Sequence, residues 1–228
     1  MYLSRLILNP HSRRVRSEIA NPYEMHRTLS HAFSGATFGA DRHLENTAGL
    51  LFRLDVHPRT GIPSLLVQSQ IEPDWFFLQS PDETYLLNKD ALPLDVENPA
   101  VKPVELRLVP EQMLAFRLRA NPTAKKIQDG QKQGRRVGLL QEKEQLLWLQ
   151  RKVESAGGML LSANLTCNEF IRGKLYRGDY KHNLSFISVQ FDGVIRVKYP
   201  ALLVDAVRVG IGSAKGFGFG LLSLAPVT

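Results

Sequence analysis

Hydrophobic and polar residues follow their clearest pattern in the second half of the chain. Residues 113–119 alternate between the two classes, which predicts a half-buried strand. Apolar positions in residues 142–156 recur at helical spacing and stop at a pair of glycines, so a helix is expected there. The pattern then predicts strands over residues 159–167, 184–191 and 194–198, with a turn at Asp192 and Gly193, a helix over 200–209 and a last strand over 217–224.

This order of elements, β-α-β-β-α-β, is that of a ferredoxin-like domain, in which two helices cover one face of an antiparallel sheet. The first half of the chain repeats the order less completely. Its pattern predicts strands over residues 2–8, 50–56 and 64–71, a helix over 22–33, and a second helix that is missing or shortened around 73–78.

The predicted fold class is therefore α+β, with two tandem ferredoxin-like (RRM-like, βαββαβ) domains, the first of which has a degenerate second helix. Residues 1–95 are expected to form the first domain and residues 111–228 the second. Residues 96–110 contain prolines and little periodicity, and they are interpreted as a linker.

The charge of the chain is unevenly distributed. The 228 residues carry 29 Lys and Arg against 22 Asp and Glu, a net charge of +7. Residues 1–100 have nine basic and twelve acidic side chains, so residues 101–228 hold a net charge of +10. Such an asymmetry favours a polyanionic partner, of which nucleic acid is the commonest. The basic residues lack sustained helical spacing, which disfavours a membrane-surface helix.

The remaining composition predicts an ordinary soluble protein with a substantial core, because 43% of the residues are hydrophobic and 22% are charged. No apolar run is long enough to span a bilayer, and the first residues predict a strand rather than a signal peptide. The single cysteine, Cys167, cannot form an intramolecular disulfide. We therefore expect a cytoplasmic protein with no membrane association.

Residues 210–220 contain five glycines and Lys215. Glycine lets backbone N–H groups approach a ligand closely, which makes phosphate a candidate partner of this segment. The segment fits neither of the standard nucleotide-binding glycine patterns, so a mononucleotide pocket is disfavoured. Tight turns and close strand packing would explain the glycines equally well. The candidate phosphate contacts are Gly210, Gly212, Ser213, Lys215 and Gly216.

The predicted helix over residues 22–33 carries the most reactive groups. Asn21 is a typical N-cap, and Glu24 occupies the capping-box position. Helical spacing predicts one buried stripe and a second face that gathers a phenol, an imidazole, a guanidinium and a hydroxyl. The stripe comprises Met25, Leu29, Ala32 and Phe33, and the other face Tyr23, His26, Arg27 and Ser30.

A single histidine on a helix is more often a surface residue than a catalytic one. His26 and His31 are five residues apart and diverge around the helix, and no cluster of carboxylates or thiols supplies further ligands. We therefore expect no metal site and no cofactor.

Basic residues also concentrate in two later segments, residues 117–136 and 172–181. The second lies between two predicted strands and combines Arg172, Lys174, Arg177 and Lys181 with two tyrosines. A basic hairpin of this kind is expected to contact an RNA hairpin near a helix end or loop, where the major groove is accessible. A solvated loop is the alternative.

Five separated segments, residues 2–10, 21–30, 72–75, 116–122 and 210–224, together resemble the CasE family, the CRISPR-associated endoribonucleases of the type I-E Cascade complex. The resemblance runs from one end of the chain to the other. It implies two ferredoxin-like domains and cleavage of CRISPR precursor RNA at the base of each repeat stem-loop, without a metal ion. It also implies other Cascade subunits as partners.

The family's catalytic tyrosine and histidine fall on Tyr23 and His26, and its glycine-rich loop falls on residues 210–220. In the implied reaction the RNA 2′-hydroxyl attacks the adjacent phosphorus, leaving a 2′,3′-cyclic phosphate and a 5′-hydroxyl. His26 would exchange a proton and Tyr23 would orient the 2′-hydroxyl or the phosphate, with acid and base roles left open. The alternative function is a non-catalytic subunit of the same fold that binds an RNA hairpin or supports assembly.

Overall fold

The structure is a computed structural model that describes residues 1–33, 48–79, 84–126, 134–177 and 180–227. For residues 135, 172–177 and 180–183 it describes the backbone alone. The chain divides into two compact units. Unit 1 comprises Met1–Glu105, Gly173–Asn183 and Gly216–Gly218, and unit 2 comprises Leu106–Arg172, Leu184–Lys215 and Phe219–Thr228.

Unit 1 contains a four-stranded antiparallel sheet, two α-helices and two single 3-10 turns. Its elements are β1 (Tyr2–Ile7), α1 (Arg13–Ala20), α2 (Pro22–Ser30), β2 (Leu51–Val56), β3 (Pro63–Ser69), the 3-10 turns Phe76–Leu78 and Lys89–Ala91, and β4 (Ala100–Pro103). The strand order is β2-β3-β1-β4, so the first strand lies in the centre and pairs with both β3 and β4. This is a ferredoxin-like sheet. Near residues 73–78, where a missing or shortened second helix was predicted, the structure has only the 3-10 turn Phe76–Leu78.

The core of unit 1 forms on the face of the sheet that α2 covers. Leu6 and Leu65 are buried because strand alternation points them to that face. Met25 and Leu29 lie one turn apart on α2 and are also buried, as the helical spacing predicted. Ser30, which was expected on the second face with Tyr23 and His26, is buried, and its hydroxyl donates to the carbonyl oxygen of His26 at 2.8 Å.

A buried carboxylate joins both helices of unit 1 to a later segment of the chain. Glu18 accepts hydrogen bonds from Thr28 Oγ1 at 2.6 Å, from the Tyr85 hydroxyl at 2.7 Å and from Arg14 Nε at 3.0 Å. Tyr85 is fully buried. The three donors satisfy a charge that would otherwise be costly to bury, and they fix α1 against α2.

Unit 2 contains a second four-stranded sheet, two helices and a small hairpin. Its elements are β5 (Met113–Ala120), β6 (Thr123–Lys126), β7 (Arg135–Gly138), α3 (Glu142–Ser155), β8 (Gly158–Arg177), β9 (Tyr180–Val197), α4 (Pro200–Val209) and β10 (Leu222–Pro226), except that the end of β8 and the start of β9, within Gly173–Asn183, belong to unit 1. The strand order β10-β5-β9-β8 repeats that of unit 1, and β6 and β7 form a separate two-stranded sheet. The predicted fold class of two ferredoxin-like domains is confirmed.

The expected turn at Asp192 and Gly193 is wrong, because both residues lie inside the continuous strand β9. They pair with Arg117 and Phe116 of β5. A Cβ atom on Gly193 would clash with the carbonyl oxygen of Ser162 in the neighbouring strand β8. Glycine is therefore required here by the close approach of two backbones and not by a turn.

Three other expectations differ from the structure. The segment 96–110, expected to be a linker, contains β4, which is an edge strand of the unit 1 sheet and so tolerates proline at its end. Helix α1 was not predicted, although Ser12 caps it by accepting from the Val15 N–H. The last strand begins at Leu222 and not at residue 217, because positive φ angles at Gly218 and Gly220 interrupt extended structure before it.

Replacing Glu18 is expected to destabilise the protein. Glu18→Ala removes the acceptor of the buried Tyr85 hydroxyl and should lower the free energy of unfolding by about 2–3 kcal/mol. The matched control is Glu24→Ala, which removes an exposed ion pair with Arg27 and should cost less than about 1 kcal/mol. Urea denaturation of both variants measures the difference, and equal losses would contradict the role assigned to Glu18.

Candidate active site

Helix α2 presents Tyr23 and His26 one turn apart at its N-terminal end. Pro22 stands at the start of the helix, where its missing N–H costs nothing. Asn21 occupies the N-cap position, but its side chain makes no capping hydrogen bond, and Glu24 pairs with Arg27 at 2.8 Å. The capping-box expectation is therefore wrong, whereas the expected proximity of Tyr23 and His26 is present.

Four aromatic side chains of unit 1 form a row in which Tyr23 and His26 are the two middle members. The Tyr23 and His26 ring centroids lie 6.5 Å apart with an interplanar angle of 12°. The Phe217 ring centroid lies 5.7 Å from that of Tyr23, and the centroid of Phe52 in β2 lies 6.3 Å from that of His26. These separations are within the range of attractive aromatic pairs. We call Phe217, Tyr23, His26 and Phe52 the aromatic row.

The segment Gly216–Gly218 follows the aromatic row at close range. A Cβ atom on Gly216 would lie 3.7 Å from the His26 imidazole. A Cβ on Gly218 would lie 3.0 Å from the Phe52 ring, and Gly218 has a φ of 80°. Glycine at residue 218 is therefore favoured by both its conformation and its close packing.

Tyr23 and His26 are both partly exposed, so a ligand can reach them. Within the described parts of the chain, the Tyr23 hydroxyl makes no hydrogen bond, and its contacts are those of its ring. A phenol can both donate and accept one. The arrangement thus offers a proton-exchanging imidazole beside a hydroxyl that is available to a substrate.

The part of the glycine-rich segment in unit 2 has mainly structural contacts. The Gly210 N–H donates to the Ala206 carbonyl at the end of α4, so this donor is already used within the protein. Ile211 N donates to the Gly220 carbonyl at 2.8 Å and closes the base of the loop. Gly212 has a φ of 93°, and a Cβ there would lie 3.3 Å from the Trp148 ring. Ser213 is partly exposed.

Lys215 also contacts the end of helix α4. Its Nζ donates to the Val209 carbonyl at 2.6 Å, which places a positive charge at the negative end of the helix dipole. Burial lowers the pKa of Lys215, and the positive charge of Lys152 lowers it further. The lysine therefore has a structural contact in addition to the phosphate contact expected of it.

The other predicted RNA-binding residues lie on two different elements. Arg27 is exposed on α2, where Glu24 partly neutralises it. Arg172, Lys174 and Arg177 lie on the distal part of the long strand β8, next to β9 in the sheet, and their side chains are outside the described residues. The backbone thus has the extended hairpin strands expected for this segment.

Sequence reasoning missed two members of the aromatic row. Phe52 was assigned only to a strand, and Phe217 to the start of the last strand. The sequence offered one clue for Phe217: it lies between two glycines, so it is the only residue of that short stretch with a side chain.

In the described ranges no group of three His, Cys, Asp or Glu residues is placed to hold a metal ion. None of the helices described there is long and apolar enough to cross a membrane.

Known proteins similar to this chain include one that matches nearly all of it and one that matches about half. The chain is 38% identical over 236 residues to the CRISPR-associated endoribonuclease Cse3 of Thermus thermophilus, covering 99% of this chain and 100% of that protein. It is 40% identical over 134 residues to the Cascade subunit CasE of Escherichia coli, covering 55% of this chain and 64% of that protein. Among solved structures, CRISPR endoribonuclease Cse3 bound to a 19-nucleotide RNA is similar with a TM-score of 0.79 and 37% identity, over 99% of this chain and 100% of that one.

The family described as CRISPR associated protein matches residues 1–226. The resemblance noted in the five sequence segments is thereby confirmed over nearly the full length. The fold agrees with it, because the solved structure of Cse3 matches 99% of this chain, including both units. The sequence of Cse3 also matches 99% of this chain. The chain belongs to the CasE family of CRISPR-associated proteins.

Proposed function

We propose that this protein is an endoribonuclease that cleaves CRISPR precursor RNA at the repeat stem-loop, with Tyr23 and His26 as its catalytic residues. The observation that carries the proposal is the juxtaposition of these two side chains on one turn of α2. It is supported by the 38% identity of the whole chain to a protein named as a CRISPR-associated endoribonuclease.

The reaction uses a nucleophile that the RNA itself supplies. The 2′-hydroxyl oxygen attacks the adjacent phosphorus while the bond from phosphorus to the 5′-oxygen breaks, which leaves a 2′,3′-cyclic phosphate and a 5′-hydroxyl. One proton leaves the 2′-oxygen and one is delivered to the 5′-oxygen. No water is activated, so the reaction needs no metal ion. The protein must exchange protons, stabilise charge on the phosphate and hold the three reacting atoms in line.

His26 and Tyr23 supply complementary groups for this reaction. The imidazole of His26 exchanges a proton with the 2′- or the 5′-oxygen, since histidine titrates near neutral pH. The Tyr23 hydroxyl donates a hydrogen bond to the phosphate or accepts one from the 2′-hydroxyl. Such positioned proton transfer is worth roughly 10²- to 10⁴-fold in rate.

Basic residues outside the aromatic row supply the binding energy for RNA. The net charge of +10 in residues 101–228 supports electrostatic contacts to the RNA backbone. We assign phosphate contacts to Arg27 and to the hairpin residues Arg172, Lys174 and Arg177. Of the glycine-rich segment, Ser213, Lys215 and Gly216 remain the candidates for direct contact with RNA, because the Gly210 N–H is bonded to Ala206 and Gly212 packs on Trp148.

The partners follow from the relatives. Cse3 is known bound to a 19-nucleotide RNA, and the Escherichia coli relative is named as a Cascade subunit. We infer that this protein binds the CRISPR repeat stem-loop, stays on its product and joins other Cascade subunits in the cytoplasm. A protein that retains its product needs only one turnover per repeat, so slow catalysis by a single histidine is sufficient.

Replacing His26 is expected to abolish cleavage and preserve binding. His26→Ala should lower the single-turnover cleavage rate at least about 100-fold, because proton exchange is lost while the contacts to phosphate remain. The measurement is cleavage of a repeat stem-loop RNA in EDTA, with the dissociation constant determined in parallel. The control is His57→Ala, since His57 is exposed and its ring contacts Thr60.

A companion substrate carries a 2′-deoxy nucleotide at the scissile position and should remain uncut by the wild-type protein, even with magnesium. Cleavage of this substrate would contradict 2′-hydroxyl attack. Full activity of His26→Ala would contradict the catalytic role of the histidine. A wild-type protein that binds the stem-loop without cutting it would favour the alternative function, a non-catalytic RNA-hairpin-binding or assembly subunit.

Substitutions in the glycine-rich segment are expected to distinguish the part that stabilises the fold, at Gly212, from the part next to the proposed active site, at Gly216. Gly212→Val should lower the thermal midpoint and RNA binding together, because valine is strained at a φ of 93° and contacts Trp148. Gly216→Val should leave the thermal midpoint nearly unchanged and slow cleavage, because its side chain would press on the His26 imidazole. The control for left-handed strain alone is Gly61→Val, at a φ of 69° with open space around it. A Gly216→Val variant of normal cleavage rate would contradict the assignment.

Removing the basic residues of the hairpin is expected to weaken RNA binding and its salt dependence. The triple variant Arg172→Ala, Lys174→Ala, Arg177→Ala should reduce the slope of log K against log salt by roughly 0.7–0.9 for each phosphate that the protein no longer neutralises. The charge-matched control replaces the exposed residues Arg13, Arg16 and Lys89 with alanine. Equal effects of the two triple variants would show that net charge, and not the hairpin, determines binding.

A further inference from the structure

We propose that Phe217 is a positioning residue for the cleavage reaction, because its ring holds the Tyr23 phenol in the orientation that the RNA requires. Phe52 does the same for the His26 imidazole from the opposite end of the aromatic row. The inference rests on the proposed catalytic roles of Tyr23 and His26, and it deepens them by assigning how the two side chains are held.

Each catalytic ring contacts a further aromatic ring besides its partner. The Tyr23 ring centroid lies 5.7 Å from that of Phe217 and 6.5 Å from that of His26, and the His26 centroid lies 6.3 Å from that of Phe52. Removing Phe217 therefore removes an aromatic contact of Tyr23 and leaves its contact with His26.

Tyr23 needs such support because of its position on the helix. It lies in the first turn of α2 and is partly exposed, so helix packing alone does not restrict its two side-chain torsions. Ordering an exposed side chain at the moment of binding costs free energy, and a misplacement of about 1 Å costs roughly 100-fold in rate. A ring packed against the phenol before RNA arrives removes much of this cost.

Phenylalanine suits this role because it has no hydrogen-bonding group. It packs against the Tyr23 ring without competing for the Tyr23 hydroxyl, which makes no hydrogen bond within the described parts of the chain. A polar side chain at residue 217 would provide an alternative partner for that hydroxyl. The apolar contact thus orients the ring and leaves its reactive group to the substrate.

The two glycines that flank Phe217 explain how its ring reaches the row. A Cβ on Gly216 would make ordinary contact with His26 at 3.7 Å, whereas a Cβ on Gly218 would lie only 3.0 Å from Phe52 at a φ of 80°, so glycine is needed at residue 218. Phe217 is then the only side chain that Gly216–Gly218 contributes to unit 1. In this part of the glycine-rich segment, Gly218 serves close packing on Phe52, while Gly216 remains a candidate for contact with RNA beside His26.

Phe217 also permits a cleaner experiment than Phe52. Phe52 is almost completely buried in the core of unit 1, so its replacement would destabilise the fold. Phe217 is partly exposed. We therefore expect Phe217→Ala to change the thermal midpoint little and the reaction rate considerably.

The test measures the single-turnover cleavage rate of a repeat stem-loop RNA, its dissociation constant and the thermal midpoint for each variant. Phe217→Ala should reduce the rate about 10- to 100-fold with the dissociation constant within about threefold of wild type. Phe217→Tyr keeps the ring but adds a hydroxyl that can compete for that of Tyr23, so it should recover part of the lost rate, and more than Phe217→Leu, which fills the space without a ring. Greater recovery with a ring than with an aliphatic side chain distinguishes positioning from simple filling of space.

A double-mutant comparison tests whether Phe217 acts through Tyr23. In the Tyr23→Ala background, Phe217→Ala should change the rate less than about threefold, because the side chain that it positions is already absent. An equal loss in both backgrounds would overturn the proposal, and so would an increase of the dissociation constant that accounts for the whole effect, since Phe217 would then contact the RNA directly. A Tyr23→Ala variant with a normal rate would overturn it as well.

Failure of the proposed function is recognised separately, by a His26→Ala variant that cleaves normally. If His26→Ala is inactive and the two-background comparison shows equal losses, the catalytic assignment stands and only the positioning role of Phe217 falls.

Discussion

The burial of one face of α2 is the constraint on which the rest of the site depends. Met25 and Leu29 are packed in the core of unit 1, and this contact fixes the rotation of the helix about its axis. Because a helix repeats every 3.6 residues, the same rotation brings Tyr23 and His26 together on a different, partly exposed side. Glu18 adds a second restraint by binding Thr28 of α2 and Arg14 of α1. The reactive face is thus determined by contacts made on the opposite face.

The glycine-rich segment, residues 210–220, has two structural roles, one in each of its two parts. In its first part, Gly210 and Lys215 both donate to carbonyl groups at the C-terminal end of α4, so their N–H groups satisfy acceptors that the helix leaves open. In Gly216–Gly218, the backbone packs on His26 and Phe52, and Phe217 packs on Tyr23. Both roles need glycine, but for different reasons: left-handed φ angles at Gly210 and Gly212, and close approach to the Phe52 ring at Gly218.

Charges in the sheet of unit 2 show why a net charge does not locate a binding surface. Arg117 forms a two-point ion pair with Asp192, and Arg119 pairs with Glu169. Burial acts to raise the pKa of Asp192, but the hydrogen bond and charge of Arg117 outweigh it and keep this pKa below its usual value. Asp192 therefore stays ionised at neutral pH and continues to neutralise Arg117. The positive excess of residues 101–228 therefore lies on other basic residues, of which the hairpin strands β8 and β9 carry several.

The sequence by itself determined the features that depend on near neighbours in the chain. The periodicity of β5, α3 and α4, the buried stripe of α2 and the proximity of Tyr23 to His26 all follow from spacings of a few residues. The order of these elements was enough to predict two ferredoxin-like sheets.

Only the tertiary structure decided the features that join distant parts of the chain. Gly193 was predicted to be in a turn, because its sequence neighbours give no other reason for a glycine. The group that leaves no room for a Cβ there is the Ser162 carbonyl, 31 positions away in the sequence. The edge strand β4 was not predicted, because it follows Pro99 and ends at Pro103. Its pairing with β1 joins residues about 100 positions apart in the sequence. Phe52 and Phe217 are brought to Tyr23 and His26 of α2 from two other parts of the chain. The physical reason is that local spacing sets the direction of a side chain relative to its own helix or strand, whereas the identity of its neighbours depends on how those elements pack.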